Sequence, residues 1–179
     1  MYIKLKNGIF DVDLVFLKKL VALLDSRLDE VQQAIDSSSD PEEMGHFDDG
    51  EYVIGMGFIA CQRYLASTYG PGGISKKTAL ETGPRHTGGE TIAQIINAAA
   101  NFWKHCDEWD LHSTVFRNRA GLKPIQLETI RVIDTVTSWE DYTCTNLLAA
   151  LAAPGQPRLE YLVPQLEAWR DALASVHVG

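Results

Sequence analysis

The sequence predicts an all-α protein, a helical bundle of five to six helices with a short extended arm at the N-terminus. Three observations lead there. Apolar residues recur at three- and four-residue spacing through most of the chain. Alternating β-type runs are absent after residue 10. A hydrophobic fraction of 45% over 179 residues is enough for one packed domain, taken as residues 1–179, without metal or disulfide staples. No period of about 20 to 50 residues repeats, which argues against a solenoid.

Residues 2–10 carry a Lys-Asn-Gly turn signal (Lys6 to Gly8), the basis for the extended arm. From Asp11, a capping residue, the pattern turns helical. Val12, Val15, Phe16, Leu20, Leu23, Leu24, Leu28, Val31 and Ile35 form one stripe. Between Asp36 and Glu51 stand seven acids and no Lys or Arg, which reads as a solvated acidic loop. A second helix is expected from Glu51 to Tyr69. It carries Gly55 and Gly57, each costing about 1 kcal/mol relative to Ala inside a helix. Gly57, Ala60 and Cys61 make a strip of small side chains, which close approach of another helix or of a ligand would explain.

Residues 70–89, dense in Gly, read as one long loop. A third helix spans Thr91 to Trp109 and a fourth runs from Pro124 to Trp139, with Leu127, Ile130, Ile133 and Val136 or Thr137 facing inward. A fifth covers Asp141 to Ala153 and stops at Pro154-Gly155. The last begins near Pro164, with Leu166, Trp169, Arg170 and Leu173 along one side. The four tryptophans all fall on helix stripes, so core packing is their expected role.

The third helix is the most informative. At about 100° per residue, Ile92, Ile95, Ile96, Ala99, Phe102, Trp103, Cys106 and Trp109 share one arc. Gln94, Asn97, Asn101, Lys104, His105 and Glu108 take the other. Asn is a poor helix former, so two of them one turn apart suit hydrogen bonding to a partner helix or a ligand; an incidental polar face is the competing explanation.

The stretch Ala100-Asn101-Phe102-Trp103-Lys104-His105 resembles the Arg-polar-x-x-x-His signature of HEPN domains. Those are helical bundles of toxin–antitoxin, abortive-infection and RNA-processing systems, and many are metal-independent ribonucleases that dimerise around the motif. Asn101 and His105 match the pattern, while Ala100 stands where the family has Arg. The resemblance covers these six residues and the all-helical character. It implies a catalytic set of His105 as general base or acid and Asn101 as its orienter, with RNA as substrate and a homodimer possible.

Cleaving RNA needs a base for the 2′-hydroxyl proton and a cation for the phosphorane charge. An imidazole can fill the first role. Lys104 can contact phosphate, although helical neighbours diverge by about 100°. Arg117 or Arg119 could also reach in. Without such a substitute the site binds and does not cut. Asp107, Glu108 and Asp110 would repel phosphate at that end of the helix.

A second candidate precedes the same helix. Gly83-Pro84-Arg85-His86-Thr87-Gly88-Gly89 leads into a helix N-terminus, where Arg85 and His86 could form an anion-binding site. A surface loop whose glycines only allow turns is the alternative. No P-loop, dinucleotide fingerprint or nucleophile elbow occurs, and the five histidines form no zinc-type pair, so neither a cofactor nor a metal is expected.

A formal charge of −8 argues against broad nucleic-acid or membrane-surface binding and leaves room for a local basic site. Cys61, Cys106 and Cys144 read as reduced thiols, and no signal peptide or membrane span is evident, so the cytoplasm is the expected location. The rival to an RNA-directed protein is a non-enzymatic binder of the immunity or antitoxin kind, whose acids between Asp36 and Glu51 meet a basic protein partner.

Overall fold

The computed structural model describes residues 2–5, 8–109, 121–138, 141–152 and 157–176. Arg117, Arg119, Trp139 and Pro154-Gly155 lie outside them. β1 (Tyr2–Leu5) and β2 (Gly8–Asp11) pair antiparallel, Tyr2 opposite Asp11 and Leu5 opposite Gly8, which is the predicted arm. The described helices are α1 (Val12–Ser37), α2 (His46–Tyr69), α3 (Lys76–Glu81), α4 (Ile92–His105), α5 (Pro124–Asp134), α6 (Thr143–Leu151) and α7 (Leu162–Val176). Together they form the predicted helical bundle. Among the described residues no helix is long and apolar enough to cross a membrane.

α4 is the axis of the bundle, packed against α2, α3, α5, α6 and α7. A capping box starts it: Thr91 accepts from the Gln94 N–H while the Gln94 side chain accepts from the Thr91 N–H. Ile95, Ile96, Ala99 and Ala100 are wholly buried. The two helical glycines of α2 are explained by close approach. A Cβ on Gly55 would collide with the Trp103 ring, and one on Gly57 with the Leu159 side chain. Leu159 therefore approaches the strip of small residues at Gly57, and Trp103 approaches the neighbouring Gly55.

Three carboxylates join parts of the chain far apart in sequence. Asp11 caps α1 through the Leu14 N–H (3.0 Å) and also accepts from the Tyr64 hydroxyl (2.7 Å) and from Arg170 (3.3 Å). Asp25, inside the buried arc of α1, accepts from the N–H groups of Leu159 (2.8 Å) and Glu160 (3.0 Å) at the turn before α7. Burial pushes its carboxyl up, and the two N–H groups and Arg158 work against that. Glu51 accepts from the Cys144 and Thr145 N–H groups (2.7 and 2.8 Å) and so caps α6 from another helix. The residue before α6, Tyr142, gives no side-chain cap and sits at φ 59°. That backbone costs a non-glycine residue about 1–2 kcal/mol.

The fourth predicted helix ends at Asp134, and its Leu127 is exposed rather than inward. The structure corrects three further expectations. The acidic segment is not one loop, because α1 runs through Asp36 to Ser37 and α2 begins at His46; eight residues, 38–45, separate them, a shorter link than predicted. Residues 70–89 are not one loop either. A short 3-10 turn (Gly70–Gly72) is followed by α3, capped by Ser75, which buries Ala79. Six residues are too few for a periodic signal to emerge.

The third correction concerns α1. Leu14, Leu17, Val21 and Val31 face the core, whereas Val12, Val15, Phe16, Leu20 and Leu23 are exposed. The first turns are apolar on both sides, and the inward side is chosen by the Asp11 and Asp25 contacts rather than by hydrophobicity.

Candidate functional site

α4 turns only part of its polar arc to open water. α2 and α3 lie beside it, and between the three helices is a hollow of about 350 Å3. Its polar lining comprises Gln62, Arg63, Tyr69, Lys76, Asn97, Asn101 and Lys104. Gln62, one turn beyond Phe58 on α2, is the hub. Its carbonyl oxygen accepts from Lys104 Nζ (2.7 Å), while its Nε2 donates to Asn101 Oδ1 (2.9 Å) and Asn97 Oδ1 (3.1 Å).

This network fixes the character of the hollow. The side-chain carbonyl oxygens of Gln62, Asn97 and Asn101 each accept a hydrogen bond inside it. Both Asn amide groups keep N–H donors with no partner among the described residues. Lys104, Lys76 and Arg63 add positive charge, and none of the three has a carboxylate partner among the described residues. Burial, then the nearby Lys76, lowers the Lys104 pKa from its ordinary value. Two ammonium groups are held close enough to repel, so a ligand carrying several anionic oxygens would relieve them. No carboxylate lines the hollow.

The sequence-predicted residues divide here. Asn101 and Lys104 are brought together, through Gln62. His105 is not part of the hollow. Its side chain is 45% exposed, its Nδ1 lies 3.3 Å from Glu108 Oε1, and its ring stacks on Trp109 at 6.5 Å and 11°. Asn101 makes no hydrogen bond to it. Ala100, where the HEPN pattern has Arg, is buried in the core.

Arg85 and His86 are engaged in their own loop. Arg85 donates to the Gly89 carbonyl (2.7 Å) and to that of Glu81 (3.4 Å), and His86 Nδ1 accepts from the Gly88 N–H (3.3 Å). The loop is fastened to α5, where Arg131 bonds Glu90 at 2.6 Å, and a Cβ on Gly88 would strike the Thr135 carbonyl. Among the described residues no three of His, Cys, Asp and Glu gather into a metal-holding group.

Sequence reasoning missed Gln62, Arg63 and Lys76. Lys76 lay in the supposed loop. Gln62 had a signal: a polar residue next to the small strip of α2, on a helix expected to meet another closely.

Comparison of the chain with protein-family models, curated proteins and solved structures finds no match in any of the three.

Proposed function

We propose that the hollow between α2, α3 and α4 binds a phosphate-bearing strand, RNA first of all, and that the protein is a HEPN-like bundle that binds without cutting. One observation carries this. In a chain of net charge −8, Arg63, Lys76 and Lys104 converge on a hollow with no carboxylate and with Asn97 and Asn101 donors to spare. Phosphate oxygens accept hydrogen bonds and carry charge, so they satisfy both features together.

The same geometry favours binding over catalysis. Cleavage needs the base and the cation on one phosphodiester. His105 is paired with Glu108 and stands apart from the hollow, Asn101 orients Gln62 in place of His105, and the motif's Arg is a buried Ala. Lys104 keeps its proposed role as phosphate contact. The cytoplasm and a bacterial defence or toxin–antitoxin setting belong to this reading through the family resemblance and the reduced thiols.

A homodimer is part of the proposal. Among the exposed positions of α1 from Val12 to Leu23, the six at 12, 15, 16, 19, 20 and 23 are symmetric about their midpoint, with Lys18 and Ala22 outside that set. Antiparallel pairing of two copies therefore sets Val12 against Leu23 and Val15 against Leu20. Phe16 and Leu20 adjoin Arg63, which also lines the cationic hollow, so pairing would bring two hollows into one track.

The test is a labelled single-stranded RNA, incubated without metal and then titrated. Expected are intact RNA with wild type and with His105→Ala, and binding weakened at least about tenfold by Lys76→Ala with Lys104→Ala, or about 1.4 kcal/mol. Metal-independent cleavage that His105→Ala abolishes would overturn the binding-only reading. RNA affinity unchanged in the double variant would overturn the site.

A further inference from the structure

A second cavity lies toward the other end of α2. It holds about 210 Å3 and is walled by Leu28, Val31 and Ile35 of α1, Phe47 and Ile54 of α2, and Tyr142 before α6. It shares no residue with the cationic hollow. Cavities that take free small molecules are usually larger, about 300–1,000 Å3. This one has room for a single bulky side chain.

Its aromatic wall is built at a cost. Tyr142 is the one non-glycine residue with positive φ among the described residues, and its ring meets Phe47 edge-on at 5.8 Å. Bulky residues adopt that backbone only where their surroundings impose it. Glu51 holds the N–H groups of Cys144 and Thr145, two and three residues further on, and so steadies the turn that presents the ring.

The surroundings of the cavity are acidic. Asp29 lines it, and Asp36 accepts from Gln32, another lining residue. Asp48, Glu42 and Asp141 act on the Tyr142 hydroxyl and, after desolvation, raise its pKa. The lining cation, Arg158, is already bonded to Asp29 (2.6 Å) and Glu160 (3.1 Å). Such a rim repels RNA and attracts positive charge.

We propose that this cavity docks a basic segment of a protein partner, one aromatic or large aliphatic side chain entering between Phe47 and Tyr142 with Lys or Arg on either side of it. The apolar walls supply the anchor's burial and the rim selects its flanks. This site is independent of the RNA reading.

The probe is a short synthetic peptide with one central Trp flanked by lysines, titrated into the full chain while methyl NMR signals of Leu28, Val31, Ile35 and Ile54 are followed. Saturable shifts of these methyls are expected. They should weaken at least tenfold when Trp is replaced by Ser, when the flanks become Glu, or in Glu42→Lys with Asp48→Lys, two exposed changes made on the protein. Phe47→Ala should remove them while the thermal midpoint is checked for an intact fold. Absent shifts, equal shifts with the Glu-flanked peptide, or free indole binding as well as the peptide would each overturn the proposal.

Discussion

Single side chains decide what this protein can hold. Gln62 orients Asn97 and Asn101 by donating to their carbonyl oxygens, which leaves their amide N–H groups as donors. Lys104 has a pKa lowered by burial and by Lys76, so it loses its charge earlier than an ordinary lysine. A bound phosphate favours the charged ammonium, so binding takes up a proton as pH rises toward that lowered pKa. RNA affinity should therefore fall as pH rises through a range beginning below 10.5, and the onset of the fall should move to higher pH in Lys104→Arg, whose guanidinium does not titrate there. Anisotropy titrations across pH measure this; a flat profile for the wild type would detach Lys104 from the ligand. Glu51 works structurally. Glu51→Ala leaves the Cys144 and Thr145 N–H groups without their acceptor and should cost about 2 kcal/mol, read as a lower urea midpoint at unchanged slope.

At the scale of elements, long periodic segments were legible and short ones were not. The starts of α1 and α5 follow from Asp11 and Pro124, and α4 from Thr91, because a cap or a first-turn proline acts locally. α3 escaped because six residues among glycines give no period. The early start of α2 escaped because the acids around Asp48 read as loop although they suit a helix N-terminus. For α1 hydrophobicity could not choose a face, since Phe16 and Leu17 are equally apolar; long-range partners of Asp11 and Asp25 chose it. Half of the site was readable, Asn101 and Lys104 on one helix. The rest needed α2 and α3 placed beside it. Packing also sorts the thiols. Cys61 is wholly buried and burial pushes its thiol up to about 12, Cys144 is raised by burial too, and Cys106, also raised by burial, is only half-buried and so within reach of reagent. Mass spectrometry after brief iodoacetamide treatment of native protein should find Cys106 modified first, with Cys61 and Cys144 reacting only on unfolding.

For the whole molecule, net charge misleads about local charge. Eight negative charges in excess coexist with a hollow whose charged lining residues are all cations, while acids stand around the apolar cavity toward the far end of α2. Two surfaces of opposite sign fit two partners of opposite sign. The exposed apolar side of α1 adds a third surface, and a helix apolar on both sides is expected to be covered on both. Sedimentation should therefore find a dimer, and Phe16→Asp with Leu23→Asp should yield a monomer of unchanged helix content; a wild-type monomer at high concentration would end the dimer proposal.

The most direct test is the salt dependence of RNA binding. Three cations on a single strand predict a slope of log K against log salt of about −2, dropping to about −0.7 in Lys76→Ala with Lys104→Ala. Equal slopes for the two proteins would mean that RNA, if held at all, is held elsewhere.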